Sequence, residues 1–148
     1  MKKLLLLAGL LVILGSCKKE VDYAALDKKT IEDYIAAHGL TAQSTAEGVY
    51  YVVDLPGSSL HPTSTSTVKV HYKGYLTDGT VFDQTSGTAV SFSLSSVIKG
   101  WQIGFPLFGK GGKGKLLIPS DLGYGSQAMS TIPAHSVLIF DIVLSDFN

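Results

Sequence analysis

The stretch VIKGWQIGFPLFGKGGKGKLLIPSDLGYG, from Val97 to Gly125, holds the residues best suited to chemistry. The only tryptophan of the chain, Trp101, follows the Val97-Ile98 pair, and a Gly-Tyr-Gly loop carries Tyr124. An aromatic floor with a tyrosine hydroxyl nearby can hold an apolar ring flanked by peptide groups. The rings bury area and the hydroxyl can bind a carbonyl.

Other chemistries fit less well. The Gly109 to Lys115 run has the spacing of a phosphate loop, but Leu116 stands where serine or threonine is required, and the run precedes a strand instead of opening a helix. His61 has no cysteine or histidine at metal-ligand spacing, so no metal site and no cofactor are expected. The chain carries 12 lysines against 12 acidic groups and no arginine, which lacks the electrostatic footprint of a nucleic-acid binder.

The elements that must position the pocket can be read from periodicity. Val49 to Val53 is branched and aromatic and closes at Pro56-Gly57, which predicts a strand; the polar run 58–66 predicts a surface loop. Thr67 to Leu76 alternates Val68, Val70 and Tyr72 with Lys69, His71 and Lys73, and Asp78-Gly79 supplies a tight turn before Phe82 and Asp83. Val90, Phe92 and Leu94 alternate with serines as another strand, with Phe92 expected in the core. Val97 to Phe105 predicts a short helix bearing Trp101. Lys115 to Ile118 and His135 to Leu144 predict two further strands, the second nearly continuous in apolar residues and therefore central. Strands crossed by one helix define an α+β class.

Ahead of this domain, Tyr23, Leu26, Thr30, Ile31, Tyr34 and Ile35 recur at helical spacing, with Asp27, Lys28, Lys29, Glu32 and Asp33 filling the gaps. One amphipathic helix is expected over about Tyr23 to His38, stopped by Gly39, with 39–48 as a connector. Its stripe suits docking on the domain, where it would cap an exposed face, or on a second copy as a homodimer contact.

The first residues are basic, and Leu4 to Leu14 form an apolar run too short to span a bilayer. It reads as a secretion signal. Leu14-Gly15-Ser16-Cys17 resembles the lipobox of bacterial lipoproteins, which implies lipidation of Cys17 and anchoring to the membrane of the bacterial envelope, facing the periplasm or cell surface. The organisation expected is a signal over 1–16, a lipid-anchored tether over 17–22, helix and connector over 23–48, and a domain over 49–148, with its core motifs in 67–148.

Four separated segments, VHYKGYLTDGTVFD (Val70 to Asp83), VIKGW (Val97 to Trp101), GKGKLLIPSDLGYG (Gly112 to Gly125) and IPAHSVLIFDIVL (Ile132 to Leu144), closely resemble the FKBP-type peptidyl-prolyl cis-trans isomerase family. The resemblance implies an antiparallel sheet of five or six strands wrapped around one short helix, binding proline-containing polypeptide segments, and macrolides at the same site. It implies Trp101 as the floor, Tyr72, Phe82, Asp83 and Phe140 as walls, and the Ile98 N–H and Tyr124 hydroxyl as groups that hold the peptide. Val97, Val90 and Ile132 are implied as further substrate contacts. Val90 stands where many members have phenylalanine, and the arginine that pairs with the aspartate in better-known members is absent. A macrolide would bind with weakened affinity, and Asp83 needs another partner, for which Tyr72 is the candidate.

Overall fold

The computed structural model describes residues 20–148. The signal expected over 1–16, Cys17 and the expected tether as far as residue 19 lie outside the described residues.

Helix α1 spans Tyr23–Ala37. The Asp22 carboxylate opens it by accepting the Ala25 N–H at 3.1 Å. It ends as the composition demands: Gly39 takes φ +60°, its N–H donates to Ala36 O, and the Leu40 N–H donates to Ile35 O. A left-handed residue at that position lets both amides fold back on the last carbonyls, and glycine adopts it without a Cβ clash.

The strands follow as β1 (Gln43–Ser44), β2 (Tyr50–Leu55), β3 (Thr67–Tyr75), β4 (Val81–Gln84), β5 (Val90–Ser93), β6 (Lys113–Ile118) and β7 (Leu138–Phe147). All pair antiparallel in the order β1-β2-β6-β7-β3-β4, with β5 also on β3. Helix α2 (Lys99–Gly104) crosses the sheet. The fold is therefore α+β, a multi-stranded antiparallel sheet wrapped on a short helix, with an N-terminal helix added.

Several boundaries differ from the sequence reading, each for a local reason. The connector over 39–48 contains β1, because a turn closed by Thr45 N–H to Val49 O folds Gln43 and Ser44 back onto Tyr50 and Tyr51. That makes seven strands instead of five or six. Strand β7 starts at Leu138, not His135, since His135 takes φ +57° and breaks the extended run. Leu94 keeps its burial but leaves the strand for a 3-10 turn over Leu94–Ser96.

Both faces of the sheet centre are buried, which explains the continuous apolar character of β6 and β7. Alternate side chains serve two cores. Leu116, Ile118, Leu138, Phe140 and Ile142 face α2, while Leu117 and Ile139 face α1 through Ile31, with Val137 beside them. Burying Ile31 completely contributes on the order of 2 kcal/mol to holding α1 on the sheet. The helix stripe thus docks on its own domain. Its register differs from the expected one: Asp27, assigned to the polar gaps, is buried, and Leu26 is half exposed.

Candidate functional site

The site begins with two glycines that bring α2 onto the sheet. A Cβ on Gly100 would collide with the Ile118 side chain, and one on Gly104 would lie 2.6 Å from Leu116 Cδ1. Between them Trp101 is pressed down until only 5% of it is exposed. Tyr72, Phe92, Phe105 and Phe140 surround its ring edge to face at centroid distances of 5.1, 5.4, 5.0 and 5.2 Å. Each such pair adds about 0.5–1.5 kcal/mol beyond burial. Among the described residues the Trp101 Nε1 is the one buried side-chain polar atom without a partner. Leaving a donor so costs about 1–3 kcal/mol, an amount the four ring contacts offset.

The walls come from three strands. Gly74 on β3 leaves room for two rings to close over it, since a Cβ there would meet Phe82 Cε2 at 2.5 Å and Phe140 Cε1 at 2.8 Å. Phe82 and Phe140 meet edge to face at 5.5 Å as a result. Beside them the Tyr72 hydroxyl donates to Asp83 Oδ2 at 2.5 Å. Burial raises the Tyr72 hydroxyl well above the ordinary tyrosine range, and the bond to the Asp83 carboxylate raises it further.

The rim is made of backbone corners. Ile98 caps α2, its carbonyl accepting from Trp101 N–H at 3.0 Å, and its own N–H donates to no backbone acceptor among the described residues. The Gln102 amide donates to Val97 O at 2.9 Å and fixes this corner. Opposite, Met129 and Ile132 exchange both backbone hydrogen bonds in a miniature hairpin, with Ser130 at φ +38° in its turn. Tyr124 stands beside it, 37% exposed, its hydroxyl unpartnered among the described residues. Together these surfaces enclose a cavity of about 450 Å³.

Tyr72, Phe82, Asp83, Val97, Ile98, Trp101, Tyr124, Ile132 and Phe140 all line that one cavity. Val90 does not line it. It pairs with Val70 at the start of β5, an outer strand, and stays 41% exposed. Phe92, read from the sequence as core, lines the cavity as well as touching Trp101. Gln102 was not expected at the site, and Met129, at the tip of the loop after Tyr124, lines the cavity. No spacing rule marks a glutamine that braces a carbonyl five residues back. Among the described residues no three His, Cys, Asp or Glu side chains gather as a metal site would require.

Residues 58–145 match the model of the FKBP-type peptidyl-prolyl cis-trans isomerase family, and the chain belongs to that family. Among its relatives, the FKBP-type isomerase FkpA of Aeromonas hydrophila is 41% identical over 132 residues, covering 86% of this chain and 49% of the relative. The crystal structure of FkpA from Escherichia coli superposes with TM-score 0.75 at 38% identity, covering 86% of this chain and 61% of that one. A Pseudomonas syringae pv. tomato isomerase structure matches with TM-score 0.72 at 30% identity, covering 87% of this chain and 98% of its own. The chain spans about half the length of the curated relatives it matches.

Proposed function

We propose that this chain is a peptidyl-prolyl cis-trans isomerase that turns Xaa-Pro bonds in extracytoplasmic polypeptides without a covalent intermediate. The observation that carries the reading is the cavity itself, an indole floor walled by Tyr72, Phe82 and Phe140, with an Ile98 amide that meets no backbone acceptor among the described residues and the Tyr124 hydroxyl at its rim. The amide bond resists rotation by roughly 20 kcal/mol because conjugation holds it planar, and unaided turnover takes tens of seconds or more. Twisting it makes the nitrogen pyramidal and removes the conjugation. A dry pocket shaped to the twisted bond lowers that barrier without a nucleophile.

In this reading the proline ring rests on Trp101 between Tyr72, Phe82 and Phe140. The Ile98 N–H and the Tyr124 hydroxyl hold carbonyls on either side, and Val97 and Ile132 shape the edge. Asp83 polarises the wall and holds Tyr72; it is not a general base. A macrolide would occupy the same cavity with reduced affinity. The chain acts from the bacterial envelope, anchored through lipidated Cys17, with 1–16 removed as a signal, 17–22 as tether, 23–48 as helix and connector, and 49–148 as the isomerase domain.

Two experiments test this. Purified protein should accelerate the cis-to-trans step of a short Xaa-Pro peptide, and Trp101→Ala should abolish most of that gain; a folded protein that leaves the rate at its spontaneous value refutes the reading. For the anchor, Cys17→Ser should abolish labelled palmitate incorporation and release the chain from membranes. The missing arginine beside Asp83 favours one second reading, a module that holds proline segments without turnover. It would bind the peptide and leave its isomerisation rate unchanged.

A further inference from the structure

Helix α1 reaches the pocket through two side chains one turn apart. The buried Asp27 carboxylate, 3% exposed, accepts both the Ser120 N–H at 2.8 Å and the Ser120 hydroxyl at 2.6 Å through Oδ2. Ser120 opens the 3-10 turn over Ser120–Leu122, and its carbonyl accepts from Gly125 N–H at 2.7 Å. The Gly125 carbonyl in turn accepts the His135 N–H at 2.8 Å. The His135 ring stacks flat on Tyr23, with centroids 3.5 Å apart and planes 5° from parallel.

The contacts form a closed ring from Asp27 through Ser120, Gly125 and His135 to Tyr23 and back along α1. Tyr124 stands in the chain segment between the Ser120 and Gly125 corners, and the Met129–Ile132 hairpin is strung between Gly125 and His135. Residues four apart on a helix share one face, so a single turn of α1 holds both feet of the loop that forms one side of the cavity. His135 needs such a hold, because a non-glycine residue at φ +57° is uncommon and is kept there by its surroundings.

We propose that Asp27 and Tyr23 are positioning residues of the isomerase site, acting from outside the domain core to place the Tyr124 hydroxyl and the Met129–Ile132 hairpin over the bound peptide. This rests on the isomerase reading above. The helix is then part of the enzyme's substrate grip as well as a cap on the sheet.

The test uses the full chain and its single tryptophan as a reporter at the cavity floor. Peptide affinity is read from Trp101 fluorescence, turnover from isomerisation kinetics, and loop order from hydrogen exchange at the Gly125 and His135 amides. Asp27→Ala and Tyr23→Ala should each weaken peptide binding and raise KM by about fivefold with kcat changed much less, the size expected for one or two lost contacts. Asp27→Asn, which can still accept the Ser120 N–H, should recover part of the affinity. Ile31→Ala, or Ile31→Val if the alanine variant does not fold, should lower stability and leave affinity alone. Affinity unchanged in Asp27→Ala, or lost equally in the Ile31 variant at matched stability, would overturn the proposal. A wild type that binds peptide but does not accelerate it sinks the isomerase reading alone, and the affinities still decide the role of α1. If it neither binds nor turns over, faster exchange at Gly125 and His135 in Asp27→Ala supports the hold on the loop, and unchanged exchange refutes it.

Discussion

The hydroxyl of Tyr72 donates to the Asp83 carboxylate at 2.5 Å, across the β3–β4 side of the cavity. This bond divides the labour between the two cavity tyrosines. Tyr72 has committed its proton to the wall, whereas the Tyr124 hydroxyl makes no bond among the described residues and is free to meet a substrate carbonyl. The partner that the absent arginine would have supplied to Asp83 is a phenol from the neighbouring strand.

Tyr72→Phe should therefore act through Asp83. Losing a hydrogen bond to a charged group costs about 1.5–3 kcal/mol, so a fall in kcat/KM of roughly 10- to 150-fold is expected as the carboxylate loses its fixed direction. Steady-state kinetics on an Xaa-Pro peptide measure it. An unchanged kcat/KM would mean that the orientation of Asp83 is irrelevant to turnover.

Tyr124→Phe separates binding from folding. The hydroxyl is on the rim and bonds nothing within the described residues, so the urea midpoint should hardly move. Peptide affinity should drop by about 0.5–1.5 kcal/mol, the net value of one hydrogen bond. If stability falls and affinity does not, the hydroxyl has a structural partner and no role in the grip.

Gly74→Ala tests the close approach that shapes the wall. Its Cβ would press on Phe82 and Phe140 together, and overpacking of this kind costs about 1–3 kcal/mol. Because both rings line the cavity, peptide affinity should fall along with the midpoint of thermal unfolding. Wild-type values for both would show that the rings can yield without consequence.

High pH should unfold the protein through its tyrosines. Burial is the main cause that raises the Tyr34 and Tyr75 hydroxyls, each from 10.0 to about 12, and Tyr72 moves the same way. The folded chain holds these protons more tightly than the unfolded chain does, so their stabilisation is intact below about pH 10 and is lost as pH rises through about 12. Urea midpoints should fall across that window, and less so in the Tyr34→Phe, Tyr75→Phe double variant. An equal fall in the double variant would assign the loss to other groups.

Much of the site was legible because its residues come in short rigid runs. Phe82 with Asp83, and Val97 with Ile98 and Trp101, have their relative positions set by a strand or a helix turn, and the Val70 to Asp83 segment contains both a wall and its hairpin. Val90 and Phe92 show where that reasoning fails. Both stand on the same face of β5, and alternation cannot say that the first emerges at the strand's exposed start while the second reaches Trp101. Gln102 escaped for a related reason, since its contact with the Val97 carbonyl exists only once Ile98 has turned the chain into α2.

By itself the sequence determined the α+β class, the two helices, the main strands and the aromatic residues of the pocket other than Phe92, because period, turn chemistry and motif register act over a few neighbouring residues. Tertiary structure alone decided which face of α1 is buried, and with it the place of Asp27. A carboxylate followed by two lysines reads as solvated, yet its partners are the amide and hydroxyl of Ser120, 93 residues away along the chain. Such a bond depends on two cores meeting across one sheet, and no local pattern encodes the distance between them.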